Sequence, residues 1–146
     1  MCEYCGCQEV PAIALLTAEH DAVVALMAQA TDAMAHGDAD GAARVCKEIL
    51  VVLGPHTTVE EQGLFPAMRN EFADQVEALQ AEHRAIEAVL AEPPTAEGWP
   101  ARLTAALHQL REHILKEQDG VFPASLAVLT PEDWDRLDEV RAGTQR

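Results

Sequence analysis

Two stretches of the chain carry the same arrangement of metal-capable side chains. His56-Thr57-Thr58-Val59-Glu60-Glu61-Gln62-Gly63-Leu64-Phe65-Pro66-Ala67 and His113-Ile114-Leu115-Lys116-Glu117-Gln118-Asp119-Gly120-Val121-Phe122-Pro123-Ala124 both read H-x3-E-x2-G-[LV]-F-P-A. A His and a Glu four residues apart on a helix lie on one face, one turn apart, which is metal-ligand spacing. Two more His, His20 and His83, each follow a Glu, as Glu19-His20 and Glu82-His83.

These residues need helices to position them, and the chain supplies the pattern. A first helix is predicted from the seam Ile13, Leu16, His20, Val23, Met27, Ala30, Met34, whose steps alternate three and four. His36-Gly37-Asp38 ends it, with Gly37 as C-terminal cap and Asp38 or Asp40 capping the next helix. The second seam runs Ala42, Val45, Ile49, Val52, His56, Glu60, Gly63, with Pro55 expected to kink the helix just before His56 and Phe65-Pro66 marking a second irregularity. The third helix, about residues 74–91, carries Phe72, Val76, Leu79, His83, Ile86, Leu90. A loop rich in Pro and Glu comes next, and Pro100 suits the first turn of a fourth helix with Leu103, Ala106, Leu110, His113, Glu117, Val121 on its seam. Thr130-Pro131-Glu132-Asp133 starts a short amphipathic helix with Trp134 and Leu137, ending at Gly143 and expected to cover one end of the bundle. The chain is thus a tandem pair of helical hairpins. Each offers one His from its first helix and H-x3-E from its second. Neither hairpin alone can bury its seam, so residues 13–128 are expected to form one domain, between a Cys-rich arm at 1–12 and a capping helix and tail at 129–146.

Composition agrees. The 146 residues are about half apolar, poor in aromatics and dominated by Ala and Leu, which favours helices over strands. The formal net charge of −15 argues against a nucleic-acid surface or an anionic membrane as partner. No continuous apolar run approaches the roughly 20 residues of a membrane span. The start, Met1-Cys2-Glu3-Tyr4-Cys5, has neither a basic nor an apolar leader region, so a cytoplasmic location is expected.

Each of the four His interrupts an otherwise apolar seam. A carboxylate on such a seam is costly to bury unpaired, and two of them facing each other repel unless a cation lies between. A metal ion relieves both costs. Four His (His20, His56, His83, His113) and two Glu (Glu60, Glu117) suggest two ions, each with two His, bridged by both Glu and a water-derived oxygen. That leaves one position per ion open to a small molecule. Nitrogen and oxygen donors suit iron, manganese or zinc. His36 and His108 fall off the seams. Glu19, Glu61 and Glu82 sit about 100° from the ligand face, from where Glu19 or Glu82 can accept a hydrogen bond from a ligating imidazole.

Together these elements resemble a hemerythrin-like (HHE cation-binding) domain: Glu19-His20, His56-x3-Glu60-Glu61 with Leu64-Phe65-Pro66, Glu82-His83, and His113-x3-Glu117 with Val121-Phe122-Pro123, spanning about residues 13–125. The resemblance implies an all-α, up-down-up-down antiparallel four-helix bundle and a non-heme centre of two Fe ions with carboxylate and oxo or hydroxo bridges. His20 and His56 would bind one iron, His83 and His113 the other, and Glu60 and Glu117 would bridge. The oxygen-carrying members have another His where this chain has Leu79, and an Asp where it has Gln118. These departures point away from reversible oxygen carriage, toward chemistry with, or sensing of, O2, peroxide or nitric oxide, with peroxidase- or catalase-like turnover among the outcomes. A ferritin-like site would need a Glu three residues before a His, and none is present.

Cys2-x2-Cys5-x-Cys7 is a second chemical feature. Its thiols are placed to share zinc, copper(I) or an iron–sulfur cluster, to act as a redox pair, or to form a plain reduced tail. Cys46, beside the second seam, reads as a small core residue. A metal-storage or sensor module signalling through this arm, without turnover, is the alternative function; a structural zinc protein is a third.

Overall fold

The computed structural model describes residues 10–146, and the cysteine cluster Cys2, Cys5, Cys7 lies outside them. Among the described residues every regular element is helical: α1 (Pro11–Ala35), α2 (Ala39–Val59), a π-helical turn (Glu60–Leu64), α3 (Phe65–Leu90), α4 (Trp99–Lys116), a second π-helical turn (Glu117–Val121), α5 (Phe122–Val128) and α6 (Pro131–Thr144).

The helix ends obey local chemistry. Pro11 occupies the first turn of α1, inside the stretch expected to be arm. Gly37, at φ +72°, turns the chain after α1, and the Asp38 carboxylate accepts from the Gly41 amide to cap α2. Gly98 adopts the same left-handed φ before α4. Thr130 and Asp133 form a reciprocal capping box at α6.

α2 runs unbroken through Pro55, and the helical path continues through the π turn into α3. The true break is Phe72, at φ −131°, ψ 40°, inside α3. Residue pairs placed symmetrically about it touch: Thr57 bonds Glu87, and Glu61 bonds His83. Residue 72 is therefore the tip of an antiparallel hairpin. The contacts Glu19–His56 and Glu82–His113 close the hairpins on either side, and His20–Glu117 closes the first helix against the fourth. The result is a helical bundle.

Its core is two apolar clusters, one containing Val23, Ile49, Leu53, Ile86, Leu110 and Ile114, the other Ile13, Leu16, Val59, Phe65, Leu79 and Phe122. Burying such side chains stabilises the fold by about 1.5–3 kcal/mol each. Leu16, His20, Val23 and Leu79, His83, Ile86 show the plan: on each helix the chain passes from one cluster to the other at its His. A buried polar layer thus separates two apolar ones.

Two expected seam positions shift. Cys46 and Leu53 are buried where Val45 and Val52 are only half-buried, while Ala42, Ile49 and His56 keep their expected places, so the buried stripe of α2 steps by four and then three. α6 lies along α2, the first π turn and α1 rather than across an end; Leu137 is fully buried against Gly63, where a Cβ would come within 3.0 Å of the Leu137 Cα. α1 is, by length and composition alone, long and apolar enough to cross a membrane, although Glu19-His20-Asp21 divide it; its seam is buried in the bundle.

Candidate metal centre

Both copies of the repeat fold alike. In each, the helix widens at its Glu. The Phe65 amide donates to the Glu60 carbonyl and the Phe122 amide to the Glu117 carbonyl, five residues back instead of four. The α-helix resumes at Phe-Pro, where Pro66 and Pro123, lacking an N–H, occupy a first turn that needs none. The extra residue rotates the downstream helix by one position. Val121, expected on the seam, is half-buried, whereas Phe122 is fully buried. Phe122 stacks on His20 (centroids 5.5 Å apart, planes at 13°), and Phe65 stacks on His83 (5.9 Å, 11°). A regular 3.6-residue period hides these aromatic supports.

The six residues singled out by spacing converge. His20, His56, His83 and His113 are each at most 6 % exposed, and Glu60 and Glu117 are fully buried. They form two overlapping quartets, His20, His56, Glu60, Glu117 and His83, His113, Glu60, Glu117. Within each, the donor atoms lie within 4.8 Å of one another. Both Glu belong to both quartets. Glu117 Oε1 is 2.9 Å from His20 Nε2, and its Oε2 is 3.2 Å from His113 Nε2, one oxygen toward each side. Glu60 Oε1 is 3.3 Å from both His56 Nε2 and His83 Nε2. The His pair contacts at 4.6 Å (His20–His56) and 4.5 Å (His83–His113) complete a pseudo-symmetric box around a cavity of about 10 Å³, room for about one water.

The donor set fits a metal. His56 Nε2, His113 Nε2, both oxygens of Glu60 and Glu117 Oε2 are buried without a hydrogen-bond partner. Native proteins rarely leave such groups unpaired, and a buried donor or acceptor without its hydrogen bond costs about 1–3 kcal/mol, more where it is charged. Cations at the two quartets would satisfy all five atoms.

Each Nε2 faces inward while each Nδ1 donates outward: His56 to Glu19 (3.0 Å), His113 to Glu82 (2.9 Å), His83 to Glu61 (2.9 Å) and His20 to Gln118 (3.0 Å). Such bonds fix tautomer and ring orientation in metal sites. The sequence model of the hemerythrin HHE cation-binding domain matches residues 12–125. The chain belongs to the hemerythrin HHE cation-binding family. Neither the curated proteins nor the solved structures contain a match to this chain.

In this HHE domain the charges of the box respond to one another. Burial disfavours the His83 imidazolium, but the Glu117 and Glu60 carboxylates outweigh it and raise its pKa to about 11. His56 and His113 are likewise raised against burial, His56 chiefly by Glu60 and His113 by Glu117. Burial works to raise the Glu117 carboxyl, yet the four surrounding imidazoles hold it well below its ordinary value. Glu19 falls to about 2 despite burial, through His56 and Arg141.

Sequence spacing found the six inner residues and the role of Glu19 and Glu82 as outer partners. It missed Arg141, whose guanidinium grips both Glu19 oxygens at 2.7 and 2.9 Å from α6, and Lys116, 2.6 Å from Glu82. Neither carries a periodic signal. Gln118, which stands where the oxygen carriers have an Asp, supports His20 through Nδ1. Leu79 is a buried core residue, and His36 and His108 are exposed, as their positions off the seams imply.

Proposed function

We propose that this domain holds two iron ions, one at His20 and His56, the other at His83 and His113, with Glu60 and Glu117 bridging, and that it binds or reacts with O2, peroxide or nitric oxide. The single observation that carries this reading is the convergence of unpartnered, fully buried Nε2 and carboxylate atoms on one small cavity. Iron when bound supplies an open coordination position and electrons for small-molecule chemistry. The chain's own residues do the rest. The Nδ1 partners Glu19, Gln118, Glu61 and Glu82 hold the imidazoles with Nε2 inward. Leu53, Ile86, Leu110 and Ile114 wall the cavity, which excludes bulk water and admits small, weakly polar ligands. Two imidazoles on each side, rather than three on one, leave more of the coordination shell to water or ligand. That favours reaction or sensing over reversible carriage.

The test is elemental analysis of protein from iron-replete cells, then visible spectra after addition of O2, peroxide or nitric oxide. Two irons per chain and a spectral response are expected, both lost in His56→Ala and in Glu117→Ala. Iron without any response would favour the metal-storage or sensor module; zinc alone with no redox spectrum would overturn the iron reading.

A further inference from the structure

The two halves of the box repeat in nearly every respect. Each has two imidazoles, a π turn that starts at the bridging Glu, and a Phe stacked on one His. They differ in the outer ring. Glu19 and Glu82 correspond by repeat, each one residue before a seam His. Glu61 and Gln118 also correspond, each one residue after a bridging Glu. In that second pair the His83 side has a carboxylate and the His20 side a neutral amide.

The charges sharpen the difference. On the His20–His56 side, Glu19 is neutralised by Arg141, which is 12 % exposed, and Gln118 adds nothing. On the His83–His113 side, Lys116 offsets Glu82, and Glu61 pairs with no cationic Lys or Arg among the described residues. Glu87, one turn after His83 where α1 has Val24, adds another carboxylate beside the cavity. The His83–His113 side therefore keeps at least one more negative charge. Both of its imidazoles donate to carboxylates, which makes an imidazole the stronger ligand.

We propose that the two metal positions are unequal and that the Glu61/Gln118 difference sets their order: the His83–His113 position takes the first divalent ion and the His20–His56 position the second. This rests on the two-metal reading above. Outer partners of ligating His typically change metal affinity 10–100-fold, and a nearby unit charge acts in the same direction.

The experiment is an anaerobic titration of the metal-free 146-residue chain, carrying Cys2→Ser, Cys5→Ser and Cys7→Ser, with cobalt(II), read by calorimetry for the two steps and by NMR of the His ring protons for their order. Two steps separated about tenfold or more are expected, with the His83 and His113 signals perturbed first. Gln118→Glu should strengthen the second step and draw the two together. Glu61→Gln should weaken the first about tenfold. The double variant Glu61→Gln/Gln118→Glu, which conserves total charge and leaves Glu87 in place, should erase the separation between the two steps. Two indistinguishable steps before Glu61 or Gln118 is changed, the His20 and His56 signals responding first, or a step ratio unmoved by Gln118→Glu would overturn the inference while leaving two metals intact. Uptake of only one ion, or none, would overturn the two-metal reading and this inference with it.

Discussion

Phe122 lies flat against the His20 imidazole, 5.5 Å between ring centres and 13° between planes, although the two residues come from opposite ends of the chain. It reaches that face only because the π turn at Glu117 displaces it by one position. Phe122→Leu keeps an apolar side chain at the position but loses the flat face and some of the volume. It should cost about 1–2 kcal/mol of stability, less than the full truncation, while weakening metal binding at the His20–His56 position. Phe122→Ala should cost about 3–5 kcal/mol. Urea denaturation of the metal-free protein, paired with metal titration, separates the two effects.

Gly63 and Gly120 occupy the same place in the repeat, but only Gly63 lies under α6. A Cβ at 63 would press on the Leu137 backbone, whereas one at 120 meets nothing within 4 Å. Gly63→Ala should destabilise by about 1–3 kcal/mol through overpacking. Gly120→Ala should be neutral or stabilising by up to about 1 kcal/mol, through helix propensity. Equal effects of the two, measured by thermal unfolding, would contradict the α6 packing.

Arg141 reaches the centre through Glu19, which in turn orients His56. Arg141→Ala leaves a half-buried carboxylate with only one partner and should cost about 1–3 kcal/mol. Arg141→Lys, which cannot form the two-pronged contact, should recover only part of that loss. Chemical denaturation curves of the three proteins give the comparison, and the Glu19 pKa should rise toward 4.5 in the Ala variant.

In the metal-free protein pH acts in two windows. Glu19, lowered from 4.5 to about 2, contributes stability that is present above pH 4.5 and lost as pH falls toward 2. His83, raised from 6.5 to about 11, contributes stability that is complete below pH 6.5 and declines as pH rises through 11. A metal must displace the proton that His83 holds at neutral pH. Metal uptake at pH 7 should therefore release protons, and affinity should increase as pH rises. Calorimetry in buffers of different ionisation enthalpy counts those protons; a count of zero would show that the imidazoles are already neutral.

Much of the site was legible in one dimension. His20, His56, His83, His113, Glu60 and Glu117 stand on helical seams, and helix geometry alone puts residues three and four apart on a common face. The helix caps at Asp38 and Thr130 and the tandem hairpins were legible for the same local reason. Other features were not. The π turns break the period on which seam reading depends, so Phe65 and Phe122 sat outside the expected pattern. The hairpin tip at Phe72 has no glycine or proline to announce it.

The sequence by itself determined which residues could be ligands and which helices carry them, because spacing along a helix fixes angular position. Only the tertiary structure decided which hairpin's His meets which carboxylate, that Glu60 and Glu117 each face both halves, and that Arg141 and Gln118 make the halves unlike. Those contacts join residues distant in the chain, Glu19 with Arg141 and His20 with Gln118. They depend on how the helices pack and rotate, which no local period encodes.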